Sequence, residues 1–258
     1  MTYRAVEVLS STALVIAEDT RHSRRLLDHY RITTPLRSYH EHNEAKETPR
    51  LIARLSEGES IALISDAGTP LVSDPGARLV DAALVAGIKV VPVPGASAVM
   101  AALVGGGLSL DRFTFFGFLP RKGKERGEMI AAIVSSPVTS VVYEAPSRVA
   151  DTLNDLAGAG AGERRAVVAR ELTKQFEEFR RGSVAELASV YSVTDPKGEV
   201  VLLVAGASRV GASESELSSA AAELLGAGKS AREVMEHLIS DLGAPRNLAY
   251  RIAHAREQ

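Results

Sequence analysis

The chain has 258 residues, 45% of them hydrophobic and 24% charged, with a formal net charge of −2. That is enough chain to bury a substantial core in one large domain or two smaller ones, with the composition of a soluble globular protein. Cysteine is absent, which excludes disulfides and thiolate–metal sites and points to the reducing cytoplasm. No apolar run approaches the roughly 20 residues that span a bilayer. The first residues, MTYRAVEVLSS, carry no signal-peptide pattern.

In chain order, residues 13–17 read as a buried strand and residues 20–30 as a helix with Leu26 and Leu27 on its apolar side. A helix follows over 47–57, ending at Gly58, then a strand over 61–64 and a turn-rich loop over 65–76. Residues 77–86 form a helix closed by Gly87, residues 88–93 a strand, and residues 96–104 a helix stopped by three glycines. This alternation implies right-handed crossovers and a parallel sheet covered by helices. The pattern changes at Phe113. An aromatic strand (FTFFGFL) leads into a basic glycine-containing loop and a helix over 128–134. Strands follow at 138–143, 165–170 and 199–205, with a helix over 147–156. Beyond Gly206 the sequence is Ala- and Ser-rich, with two or three amphipathic helices expected. The chain therefore divides into an α/β N-terminal domain over 1–111, an α/β C-terminal domain over 112–206 and a helical extension over 207–258.

Several strand-to-helix junctions carry polar motifs. Ser65-Asp66-Ala67-Gly68-Thr69-Pro70-Leu71-Val72-Ser73-Asp74-Pro75-Gly76 follows a strand, at the sheet edge where α/β proteins bind ligands. Its glycines allow close backbone approach, and its acids and hydroxyls supply hydrogen bonds. A loop that simply needs several turns would also read this way. Pro94-Gly95-Ala96-Ser97 opens another helix, where Ser97 suits a cap and free N–H groups suit a ligand. Glu18 and Asp19 precede Thr20 and Arg21, with Arg24 and Arg25 close by; these residues fit either helix capping or a phosphodiester backbone. His40, His42 and Glu44 lack a fourth ligand, so no metal is assigned. Tyr143-Glu144 and the stretch from Arg170 to Glu177, with Thr173 and Lys174, place acids and bases at two further strand ends.

Together these blocks resemble the tetrapyrrole-methylase superfamily and, within it, the ribosomal small-subunit methyltransferase I family. The family pattern runs EDTR–SRxLL, YHEHNE, SDAGTPLVSDPG, PGxSA, FxGFLPRKGKxR, YExPHR and RELTKxFEE, and its blocks occur in order over about residues 4–206. Ser147 stands where the family often has His. The resemblance implies a two-domain fold, with a parallel sheet in the first domain and a mixed sheet in the second, and S-adenosylmethionine in the cleft between them. By position, Ser65, Asp66, Ala67, Gly68, Ser97 and Ala98 would cradle the cofactor, completed by Tyr143, Glu144, Thr173 and Gly206. It implies 2′-O-methylation of a cytidine in the decoding region of 16S rRNA, within the 30S subunit, by a cytoplasmic homodimer. The family also begins with a strand and a TPIGNLxDIT-like loop ahead of the helix near Arg4, so that strand is expected to be missing here.

Methyl transfer to a hydroxyl requires alignment and a base for a weakly acidic proton. Asp19 or Glu18 is the expected base, with Lys174 or Arg21 holding a neighbouring phosphate. Arg21, Arg24, Arg25, Arg121, Lys122, Lys124 and Arg126 form the expected RNA surface, joined by Lys229, Arg232, Arg246 and Arg251 of the tail. Three rival readings stand beside this one. A C-methyltransferase on a corrin or tetrapyrrole precursor fits the fold but not the basic loop. A flavodoxin-like or sugar-nucleotide enzyme leaves the second-half blocks unexplained. A truncated, inactive ribosome-binding homologue would differ in failing to bind cofactor.

Overall fold

The computed structural model describes residues 1–207 and 214–254. The first half contains α1 (Tyr3–Ser11), β1 (Leu14–Ala17), α2 (Thr20–His29), β2 (Leu36–Ser38), α3 (Glu44–Ser56), β3 (Ile61–Ile64) and α4 (Ala77–Val85). Its three strands are parallel in the order β2-β1-β3. Central β1 is buried on both faces, which is why its sequence is a continuous apolar run. Leu14 and Ile16 pack with Tyr39, Leu51 and Leu79 on one side, and Val15 packs with Leu9, Leu27 and Ile32 on the other.

The second half contains α5 (Ala98–Gly106), β4 (Phe113–Phe118), α6 (Lys124–Ser135), β5 (Thr139–Glu144), α7 (Val149–Leu156), β6 (Arg165–Arg170), β7 (Glu178–Ser183), α8 (Val184–Tyr191) and β8 (Val200–Val204). The five strands run β4-β5-β8-β6-β7. β4 and β5 are parallel and the remaining pairs antiparallel, which makes the sheet mixed as expected. Alternate residues face opposite layers. Val142, Val168, Leu202 and Val204 pack with Leu153 and Leu187, under α7 and α8. Val141, Val167, Val201 and Leu203 pack with Val99, Ala102 and Leu103 of α5. Three tail helices, α9 (Glu214–Gly226), α10 (Ala231–Ser240) and α11 (Arg246–Ala253), share a small core of their own.

Packing thus joins α5 to the second sheet, although a division at residue 111 leaves it with the first. Gly106 lets it lie close: a Cβ there would come within 2.5 Å of Leu203 Cδ1. Arg181 then donates to the otherwise free carbonyls of Gly105 (2.6 Å) and Gly106 (3.2 Å) at the helix end. Three expectations about individual elements are corrected. Residues 88–93 form no strand, and Val90 and Val91 are 40% and 49% exposed. β3 ends its sheet with ladder bonds to β1 alone, so among the described residues no strand lies alongside to pair with 88–93. Helix α3 begins at Glu44 and runs through Pro49, which has no N–H to donate to the Ala45 carbonyl one turn back. Leu26 is exposed and Leu27 alone reaches the core.

Candidate active site

The ends of both sheets come together in one region. Asp19, just past β1, donates its N–H to Asp66 Oδ1 (3.3 Å). Thr69 donates its hydroxyl to the Ala96 carbonyl (2.8 Å), tying the 65–76 loop to the segment before α5. Ser97 caps α5 by accepting the Met100 N–H (3.4 Å). From the other half, Gly117 of β4 approaches the same loop: a Cβ on it would lie 3.4 Å from Ser73 Oγ. Tyr143, at the end of β5, packs edge-on to Phe115 (4.9 Å) and tilted against Phe118 (5.4 Å).

Charge is concentrated here. Burial, the Glu18 carboxylate and, more weakly, Asp66 and Glu199 push the Asp74 carboxyl above its ordinary value, while the Ser65 hydroxyl opposes them. Burial and the neighbouring Asp74 likewise push the Tyr143 phenol up. The loop holding Asp74 is bent through left-handed backbone at Leu71 (φ 71°) and Ser73 (φ 64°), conformations that cost about 1–3 kcal/mol each and cluster at functional sites. Ser65, Asp66, Ala67, Gly68, Ser97, Ala98 and Tyr143 therefore line one region. Glycines 68 and 95 have open space where a Cβ would be. Asp74 and Glu199 belong to the site without having been singled out: Asp74 lay within a recognised motif, and Glu199 left no sequence signal.

Several expected site residues have other work. Asp19 caps α2, and the Arg21 and His22 N–H groups hold its carboxyl below the ordinary range, which makes it a weaker base. Lys174 bridges Glu171 (2.9 Å) and Glu199 (3.1 Å). Burial works against its charge, but those carboxylates outweigh burial and raise its pKa, so the ammonium is already occupied. Glu144, 2% exposed, points away from Tyr143 into the opposite layer, as strand alternation requires. There it accepts from Thr152 Oγ1 (2.6 Å) and the Ala145 N–H (2.9 Å) and pairs with Arg148 (3.3 Å). Thr173 takes a left-handed φ of 65° and donates its N–H to Glu177. Gly206 sits at the far end of the sheet, beside Pro137 and Arg165 in a separate cavity of about 350 Å³. Antiparallel β5–β8 pairing puts Val204 opposite Ser140 and Val200 opposite Glu144, so Gly206 and Tyr143 lie at opposite ends.

The basic residues also divide. Arg24, Arg25, Arg121 and Lys122 are exposed, with no hydrogen-bond or ion-pair partner among the described residues. Arg21 leans on Asp19 (3.5 Å) and Lys124 on Glu128 (3.4 Å), both at the surface. Arg126 turns inward to Asp155 (2.7 Å), Thr152 and the Pro120 carbonyl, so it is structural. In the tail, Lys229, Arg232 and Arg251 pair with Glu233, Glu236 and Glu214, and Arg246 has no ion pair among the described residues. The His40 and His42 rings lie 6.0 Å apart, and the described residues contain no group of three acids or histidines able to hold a metal.

Residues 1–188 match the family described as tetrapyrrole (corrin/porphyrin) methylases. The chain is 43% identical over 256 residues to a Synechocystis protein named ribosomal RNA small subunit methyltransferase I, covering 98% of this chain and 92% of the relative. The chain belongs to that family. A Pseudomonas aeruginosa protein of the same name is 48% identical over 205 residues, covering 79% of this chain and 73% of the relative. Uroporphyrin-III C-methyltransferase from Thermus thermophilus, solved with S-adenosylhomocysteine, shares the fold at a TM-score of 0.55 and 18% identity. That alignment covers 79% of this chain and 90% of the other. In this methyltransferase family, then, the two-sheet α/β architecture expected from the sequence is present.

Proposed function

We propose that this methyltransferase moves a methyl group from S-adenosylmethionine to the ribose 2′-hydroxyl of a cytidine in the decoding region of 16S rRNA. The observation that carries this reading is the 43% identity to a ribosomal RNA small subunit methyltransferase I along nearly the whole of both chains. The site's chemistry fits the cofactor. Glu18, Asp66, Asp74 and Glu199 gather negative charge, as a sulfonium and an ammonium would demand. The open Gly68 and Gly95 backbone and the Ser97-capped helix start offer N–H groups to hydroxyls and a carboxylate. Ser65, Asp66, Ala67, Gly68, Ser97, Ala98 and Tyr143 would hold it. When bound, the cofactor supplies an already electrophilic methyl group.

The chain's own residues then have to orient the ribose and accept one proton. Asp19 and Lys174 are committed elsewhere, which leaves Glu18 and Asp74 facing the same space. Burial and Glu18 destabilise the Asp74 charge and raise its carboxyl above the ordinary value, so the proton is assigned to Asp74 with Glu18 beside it. Arg24, Arg25, Arg121 and Lys122 bind phosphates in the 30S subunit, in the cytoplasm, with two copies of the chain acting as a dimer. Among the described residues no helix is long and apolar enough to cross a membrane.

The test is transfer of labelled methyl groups from S-adenosylmethionine to unmethylated 30S subunits, with the modified nucleotide located by mass spectrometry of rRNA fragments. A single cytidine 2′-O-methylation in the decoding region is the expected result. Labelling of a base, labelling of a tetrapyrrole instead, or cofactor binding without transfer to RNA would each overturn the reading.

A further inference from the structure

Strand β4 departs from regular pairing. Phe115 pairs with Val141 and Phe118 with Tyr143, so three residues of β4 span two of β5. The extra residue is absorbed at 116–117, where Gly117 takes a φ of 65°. Side chains alternate across a strand. Without the extra residue, Phe118 would follow Phe116 into the layer beneath α6 and α7. With it, Phe118 shares the face of Phe115 and Tyr143, which pack on the α5 side. Its ring lies 5.4 Å from Tyr143, yet it is 57% exposed. Bulges of this kind re-aim side chains next to active sites, and Gly117 is also where β4 meets Ser73 of the loop that carries Asp74.

The segment after the ring is held firmly. Leu119 is 2% exposed and its carbonyl accepts from Arg148 (2.8 Å). The Pro120 carbonyl accepts from both Arg148 and Arg126 at 3.1 Å. Beyond that clamp, Arg121 and Lys122 stand in solvent with no partner among the described residues. An aromatic face fixed toward water, followed within four residues by two free cations, matches the chemistry of a nucleotide: a π-surface to stack and a phosphate to neutralise.

We propose that Phe118 is a stacking platform for an unpaired nucleobase of the RNA substrate, with Arg121 and Lys122 engaging the adjoining phosphates. The proposal rests on the RNA reading above and deepens it. A base on Phe118 lies next to Tyr143, and through it next to Asp74, so the platform links RNA capture to the acidic end of the cleft. Stacking tolerates any base; selection of the nucleotide therefore falls to other contacts.

The experiment compares wild type with Phe118→Ala, Phe118→Leu and Phe118→Trp. The probe is a short, unstructured, fluorescently labelled cytidine-rich oligoribonucleotide, read by anisotropy. S-adenosylmethionine affinity, thermal midpoint and sedimentation are measured on the same samples. Phe118→Ala and Phe118→Leu are expected to weaken RNA binding on the order of 10-fold, as loss of one base–aromatic stack does, while Phe118→Trp retains it. Cofactor affinity and thermal midpoint stay at wild-type values. RNA affinity equal to wild type in Phe118→Ala overturns the proposal, and so does full rescue by Leu, which packs but cannot stack. Dissociation of a dimer in Phe118→Ala with RNA affinity intact also overturns it, by making the ring a contact between copies. If wild type binds the oligonucleotide in a Phe118-dependent way but methylates no RNA, the activity assignment fails and the platform stands. If wild type binds no RNA at all, both fail.

Discussion

Replacing Arg126 with methionine keeps the apolar stem and removes the guanidinium, which separates a structural arginine from an RNA-binding one. The Arg126 side chain is 11% exposed and reaches three partners on two segments: Asp155 at 2.7 Å and Thr152 Oγ1 at 3.0 Å on α7, and the Pro120 carbonyl at 3.1 Å. Hydrogen bonds to charged groups contribute about 1.5–3 kcal/mol apiece, but not all of that is lost here. The Asp155 side chain is 47% exposed and rehydrates, Thr152 keeps its bond to Glu144, and Pro120 keeps Arg148. A net loss of about 2–3 kcal/mol remains, below the range for breaking a fully buried pair. For a chain of this size each kcal/mol moves the midpoint by about 2–4 °C, so calorimetry should show a fall of about 5–10 °C. RNA affinity falls only modestly, and its dependence on salt keeps the wild-type slope, because no phosphate contact has been removed. The double variant Arg121→Ala/Lys122→Ala should do the opposite: an unchanged midpoint and a slope of log affinity against log salt reduced by about 1.4. An Arg126→Met protein as stable as wild type, with a reduced salt slope, would refute this account and put Arg126 on the RNA.

Leu203→Ala, at a position 0% exposed between the second sheet and α5, is expected to cost about 2–5 kcal/mol in urea unfolding; a loss below 1 kcal/mol would mean α5 does not pack there. Asp74→Asn should cut methyl transfer sharply while leaving stability at pH 8 equal or higher. A carboxyl raised above its unfolded value destabilises the fold while ionised, and that penalty fades as pH falls through the raised value. A variant that is less stable at pH 8 and fully active contradicts both halves of that expectation. Glu233 is held down to about 2 by its capping bonds with Ser230 and by Lys229. Its contribution is therefore present above the ordinary glutamate range and lost as pH falls toward 2, so the midpoint gap between wild type and Glu233→Gln should close over that interval. A gap that does not change with pH would show that the charge contributes nothing.

How legible each strand is in the sequence follows from how far its faces are covered. β1, β3, β6 and β8 show as apolar runs or near-runs because they have neighbours or helices covering them, and their bounds lie within a residue or so of those read from the sequence. β2 (LRS) and β7 (EFRRGS) leave no such signal because both are edge strands with polar residues facing water. Residues 88–93 carry the converse lesson. IKVVPV has the composition of a strand, but pairing needs a neighbour, and none of the described strands lies beside it. The packing of α5 on the second sheet was hidden for a related reason. Three glycines mark the end of α5, yet two of them serve its packing against Phe179 and Leu203 of the second sheet.

The site divides along the same line between what is local and what is not. Motifs at strand ends marked their loops as ligand-facing, and it was the family resemblance that grouped residues 65–68, 97 and 143. The task of each charged side chain depends on what stands opposite, and periodicity carries no information about that. Asp19 and Asp74 look alike as acids in loops before helices. The first accepts the backbone N–H groups of Arg21 and His22 on Oδ1 and is held down, whereas the second is buried beside Glu18 and is pushed up. Glu144 and Tyr143 are adjacent in sequence but face opposite layers, one closing a buried network and the other entering the cleft. Four carboxylates near one another repel, and a fold selected for stability alone would not gather them. They are consistent with a site that meets a cation on one side and a proton on the other, and the tests of Asp74 and of cofactor binding bear on those two demands separately.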